Sequence, residues 1–182
     1  MWKYDHIDET RQRLLSKGII DLGGEVDEDM AMYVRDSLMI LATNDNPEIT
    51  IVFTSNGGSV VAGLAIYDML KNYPGRKIGR VSSFCRSIAA IVLQACDWRI
   101  ASPNSEIKIH NVAVQSLGLD VLRHPKKIDE CIKDMERDQG IINQIYSFRT
   151  GQSLRAITRE SNRDELMTAQ EALEFGLIDE II

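Results

Sequence analysis

The chain is poor in cysteine and histidine, with three of each among 182 residues. Cys85, Cys96 and Cys131 are odd in number and lack metal-site spacing. They point away from a disulfide-built secreted scaffold and toward a reducing, intracellular compartment, so a cytoplasmic location is expected. No apolar run approaches the ~20 residues that a membrane helix needs, which excludes a membrane-spanning reading. Met1 to Arg13 is polar and carries acids, unlike a signal peptide. A Gly-Lys-Ser/Thr phosphate loop is missing, so any use of ATP would come from a partner. The net charge of −6 argues against a general nucleic-acid binder. Internal repeats, low-complexity tracts and interdomain linkers are also missing. With 44% apolar and 26% charged residues, the chain reads as one globular domain over 1–182, large enough to bury a core.

Strand-like and helix-like stretches alternate along most of it. Asp27-Glu28-Asp29 precede a helical pattern with Met30, Val34, Leu38 and Leu41 on one face, where acids suit the positive end of a helix. Asn44 to Pro47 break that pattern. Ile49 to Thr54 reads as a buried strand and Val60 to Asn72 as a helix, followed by a turn at Tyr73-Pro74-Gly75. Ile78 to Phe84 reads as strand and Ser87 to Ala95 as helix. Trp98 to Ala101 and Glu106 to His110 read as strands. The fold class is therefore α/β, a mainly parallel sheet between helices. A polar insert runs from Gln115 to Pro125. Ile128, Ile132, Met135, Ile142 and Tyr146 then recur at helical spacing, predicting a long helix over Lys126 to Phe148.

The most informative stretch is Ser55-Asn56-Gly57-Gly58-Ser59, between a strand and a helix. Two adjacent glycines let the backbone turn tightly and bring bare N–H groups toward a ligand. Such groups can hold a carbonyl oxygen as it gains negative charge. Similar turns also bind phosphates or simply pack closely. Ser87, His110 and Asp164 complete the inventory for acyl transfer by an activated serine. His6 lies in a polar arm and His124 in the insert, whereas His110 ends a strand, a rigid mount for a base. Ser55 and Ser59 have a simpler role open to them, hydrogen-bonding the turn. Ser87 is either a nucleophile at a helix N-terminus or a helix cap. Two acids, Glu160 and Asp164, compete to orient the histidine, and Asp164 could instead cap the following turn.

The glycine turn, with Ala62-Gly63-Leu64-Ala65-Ile66-Tyr67-Asp68, closely resembles the proteolytic subunit of the Clp protease, the ClpP family. So do Gly18 to Val26, Pro103-Asn104-Ser105 leading to Ile109-His110, Thr150 to Ser153, Arg163-Asp164, and Glu171 to Asp179. These matches follow the family's order from about Tyr4 to the end. The resemblance implies a ClpP/crotonase-like fold of stacked strand–helix–strand units, with a projecting handle over about 112–150. It implies a serine endopeptidase with Ser87 as nucleophile, His110 as base and Asp164 as the third member. Gly58 and Ile88 would donate the two oxyanion N–H groups. No cofactor or metal is implied.

The same resemblance implies that peptides or unfolded proteins are the substrates. It implies a homo-oligomer, a heptameric ring that stacks as a tetradecamer, fed by an AAA+ unfoldase of ClpX, ClpA or ClpC type. Arg163 resembles the arginine that pairs across the ring–ring interface, although its usual acidic neighbour is Asn162 here. The sequence departs from the family at several points. Arg86 places a bulky cation beside Ser87, where it could hold an anion, pair with an acid across an interface or obstruct the cleft. Ile88-Ala89-Ala90 stands after Ser87, and Asn111-Val112 with a glycine-poor segment stands after His110. Val52 and Ile100 stand where the family's docking pockets often have aromatics, and Met1 to Tyr4 is short for the axial hairpin. Two other readings remain: a non-catalytic ring subunit of the same fold, and an acyl-CoA enzyme of the related crotonase fold.

Overall fold

A computed structural model describes residues 8–114 and 116–182; His6, the arm from Met1 to Tyr4 and Gln115 at the start of the insert lie outside these residues. The sheet begins with β1 (Ile19–Val26), β2 (Ile49–Gly58) and β3 (Lys77–Arg86). It continues through β4 (Trp98–Ala101), β5 (Glu106–Lys108), β6 (Met167–Thr168) and β7 (Glu180–Ile181). The main order is β1-β2-β3-β4-β7, and every neighbouring pair on that path is parallel. Along β2, Ile49, Ile51, Phe53 and Ser55 are buried at alternate positions, as the period of a strand requires.

β3 splits its partners. Ile78 to Val81 pair with β4, while Phe84 to Arg86 pair with β5 in the register Arg86↔Lys108. β5 also carries the one antiparallel pairing among the described strands, to β6. The second half of β3 therefore lies beside the segment that leads into His110.

Helices α2 (Glu28–Ala42) and α3 (Val60–Asn72) follow β1 and β2. Asp27 caps α2 by accepting from the Met30 N–H at 2.8 Å, and Met30, Val34, Leu38 and Leu41 are all buried as their spacing predicts. α4 (Ile88–Leu93) is buried along its whole length. It packs so tightly on α3 that a β-carbon on Gly63 would stand 2.2 Å from Ile88 Cγ1. The remaining helices are α1 (Glu9–Leu15), α5 (Leu119–Leu122), α6 (Pro125–Thr150), α7 (Leu154–Arg163) and α8 (Ala169–Phe175).

α6 is the long helix expected from the periodicity, but its apolar stripe is used unevenly. Ile142 and Tyr146 are buried, whereas Ile132 is 47% exposed. The N-terminal half extends past the body, because α6 meets α7 and α4 toward its C-terminal end. At the far edge, Arg99 is ion-paired to Asp179 at 2.6 Å and hydrogen-bonded to Gln94, which ties the C-terminal strand to β4 and α4.

Candidate active site

β1, β2 and β3 end on one side of the sheet, the side where open parallel sheets commonly form binding crevices. There a cavity of about 480 Å³ is lined by Ser87, His110, Gly58, Asn56 and Glu25, among others. Ile88, Ile91, Ile142 and Tyr146 give it an apolar wall. The segment Asn111 to Ala113 closes its other side. Glu25 and His110 bring ionisable groups of opposite type to this lining, and burial keeps the Tyr146 hydroxyl protonated by pushing it well up.

Three serines near the glycine turn have different duties. Ser55 Oγ accepts from the Gly57 N–H at 3.1 Å, and Ser59 Oγ accepts from the Ala62 N–H at 3.3 Å as the cap of α3. Ser87 occupies the cap position of α4, yet its side chain makes no cap hydrogen bond. The helix-cap reading of Ser87 is therefore not what the structure shows. Its backbone stands at φ 56°, ψ −133°, a conformation that costs a non-glycine residue on the order of 1–3 kcal/mol. The N–H of Ser87 donates to the Lys108 carbonyl at 2.9 Å, extending the β3–β5 pairing by one residue. This places Ser87 just past the strand end, half-buried in the lining of the cavity.

The glycine pair fits closely around this turn. Gly58 has φ +154°, and a β-carbon there would lie 2.4 Å from the Val26 carbonyl oxygen and 3.0 Å from Glu25 Cγ. Only a residue without a side chain can bring its backbone to that point. Ile88 is the first residue of α4, and N–H groups in a first helical turn have no intrahelical acceptor.

β5 ends at Lys108, so His110 stands two residues beyond the strand rather than within it. Ile107 and Ile109 are buried, which puts Glu106, Lys108 and His110 on the opposite face. His110 is half-buried and shares the cavity with Ser87. Asn111 next to it donates to Asn162 Oδ1 at 2.7 Å, and the Val112 N–H donates to Gln139 of α6 at 2.6 Å.

Asp164 is not part of the cavity lining. It ends α7 in the left-handed region at φ 54°, so it is a C-cap and not the N-cap of the following turn. Its Oδ1 pairs with Lys108 Nζ at 3.0 Å. Hydrogen bonding from Lys108, opposed by desolvation and aided by the charges of Lys108 and His110, holds its carboxyl below the usual range. The competing acid, Glu160, is largely buried and pairs with Arg163 at 3.4 Å. Arg163 also pairs with Glu165 at 2.6 Å, so it is engaged within its own chain.

Arg86 is not among the residues that line the cavity. Its guanidinium pairs with Glu106, donates to Asn56 Oδ1 at 3.0 Å and stacks over the Phe84 ring at 4.9 Å. The sequence left open a pairing with an acid across an interface; the acid that Arg86 meets is Glu106 of its own chain. Sequence reasoning missed Lys108 and Glu25. Lys108 was visible as the residue alternating with His110, and Glu25 as the acid inside the Gly18 to Val26 match.

The sequence model of the Clp protease family matches residues 3–182. The chain belongs to the Clp protease family. It is 33% identical over 179 residues to the ATP-dependent Clp protease proteolytic subunit 3 of Streptomyces avermitilis, covering 96% of this chain and 78% of that protein. It is 34% identical to the ATP-dependent Clp protease proteolytic subunit 1 of Streptomyces coelicolor over the same shares. The α/β sheet of mostly parallel strands is consistent with the ClpP fold. Among the described residues no helix is long and apolar enough to cross a membrane.

Proposed function

We propose that this chain is a serine endopeptidase subunit of a self-compartmentalising ring protease. The observation that carries the reading is Ser87: it is held in a strained backbone conformation, leaves its helix uncapped and faces one cavity with His110. Strain maintained at a polar residue in a cleft is a mark of function.

In this mechanism His110 accepts the Ser87 hydroxyl proton as Oγ attacks a peptide carbonyl. The N–H groups of Gly58 and Ile88 stabilise the negative oxygen. His110 then gives its proton to the leaving amine, and water, deprotonated by His110, clears the acyl-enzyme. Asp164 orients the imidazole and offsets its charge. The substrates are peptides or unfolded proteins. The subunits form a homo-oligomer, a heptameric ring that stacks as a tetradecamer with Arg163 at the ring–ring contact. An AAA+ unfoldase of ClpX, ClpA or ClpC type supplies the substrate, in the cytoplasm. The chain forms one peptidase domain, with α6 as its handle.

The ion pair of Asp164 with Lys108 favours a second reading, a non-catalytic ring subunit in which the acid serves Lys108 alone. One experiment separates them. The native particle is weighed, then incubated with an active-serine probe and a fluorogenic peptide beside Ser87→Ala. Labelling and hydrolysis by the wild type alone support the peptidase. An assembled wild type that does neither supports the non-catalytic subunit, and full labelling of Ser87→Ala refutes the nucleophile.

A further inference from the structure

Lys108 contacts two members of the proposed triad and lies two residues before the third. Its carbonyl accepts from the Ser87 N–H at 2.9 Å. Its ammonium pairs with Asp164 at 3.0 Å. His110 follows it by two residues on the same face of the chain. Its side chain is only 25% exposed, against 65% for Asp164. The more buried partner thus holds the more exposed one.

Asp164 needs such a hold. It sits in a left-handed conformation at a helix end, where a non-glycine backbone is under strain. The cation next to it, Arg163, is committed to Glu160 and Glu165. From the facing segment, Lys108 and His110 are the groups whose charges act on it. The bond from Asn111 to Asn162 ties the same two segments together on the other side of His110.

We propose that Lys108 is a positioning residue that holds the carboxylate of Asp164 to the segment that carries His110. The proposal rests on the peptidase reading above. Lys108 does not meet the substrate; it acts through Asp164, fixing where that carboxylate stands relative to the imidazole.

The test uses the assembled particle, checked by native mass, with Lys108→Met, Lys108→Gln and Lys108→Arg in the wild-type and Asp164→Asn backgrounds. Peptide hydrolysis gives kcat and KM, and the rate of active-serine labelling follows the slowest variants. The two neutral variants should lower kcat roughly two- to fivefold, the scale of a partly exposed charge pair, with KM unchanged. Lys108→Arg should restore most of kcat. In the Asp164→Asn background, Lys108→Met should cost nothing further, because both changes act through one carboxylate. An unchanged or raised kcat in the neutral variants overturns the proposal, as does an equal loss in both backgrounds. If neutral variants fail to assemble and only Lys108→Arg does, Lys108 is structural and the proposal falls. A wild type that neither labels nor cleaves sinks the peptidase reading itself, a different result from an active wild type indifferent to Lys108.

Discussion

Gly57 faces Ser87 so closely that a β-carbon at position 57 would stand 2.6 Å from Ser87 Cβ and 3.1 Å from its Oγ. The Arg86 carbonyl would also lie within 2.9 Å, and the φ of +94° is strained for any side chain. Gly57→Ala must therefore move the nucleophile or the turn. We predict a stability loss of about 1–3 kcal/mol, read by denaturant unfolding, together with loss of active-serine labelling. Wild-type labelling by Gly57→Ala would show that the turn has room to yield.

Ser87 offers a separation of stability from activity. Its φ of 56° suits glycine better than serine. Relief of strain outweighs the extra flexibility glycine gives the unfolded chain, so Ser87→Gly should raise stability by about 1 kcal/mol. Thermal unfolding at matched protein concentration checks this. Labelling and peptide hydrolysis should both vanish in the same variant.

Glu25 places an acid in a cavity whose remaining wall is largely apolar and amide. None of its contacts among the described residues is an ion pair. A peptide with Lys or Arg next to an aliphatic residue at the scissile bond should be cleaved about threefold faster in kcat/KM than its neutral counterpart, the scale of a solvent-exposed charge pair. Glu25→Gln should erase that preference while leaving hydrolysis of the neutral peptide intact. Equal preference before and after the substitution would remove Glu25 from substrate selection.

Acid sensitivity should track the pair of Arg99 and Asp179. Burial pushes the Asp179 carboxyl up, but hydrogen bonds and charge from Arg99 outweigh it and hold it low. A carboxyl lowered on folding stabilises the protein above the unfolded value of about 4, and this contribution fades as pH falls through the lowered folded value. Asp179→Asn should cost about 2 kcal/mol at neutral pH by leaving Arg99, only 5% exposed, without its anion. That figure is discounted because Asp179 keeps some solvent contact. The variant should also lose less stability than the wild type between about pH 5 and 2. Parallel acid profiles for the two proteins would contradict the assignment.

Much of this was legible along the chain. The buried face of α2 follows from Met30, Val34, Leu38 and Leu41, and α3 spans the Val60 to Asn72 expected from its pattern. Ser87, His110 and Asp164 were each marked by family resemblance. Their present relations were not. Arg86 had three open roles until the β3–β5 pairing put Glu106 beside it. Asp164 is expected to orient the imidazole, and its ion pair with Lys108 is not legible along the chain. The apolar spacing of α6 continues past the body, so periodicity alone overstated how much of that helix is buried.

Local order and composition determined the element sequence, the parallel sheet and the small residues at the Gly57-Gly58 turn. They could do so because periodicity, caps and glycine conformations act over a few neighbouring positions. Only the tertiary structure decided which side chains meet. Arg86 and Glu106, and Lys108 and Asp164, pair across 20 and 56 positions, and Ser87 and His110, 23 apart, line one cavity. Their encounters depend on strand register and helix packing, which set distances to within ångströms where the chain alone sets only order.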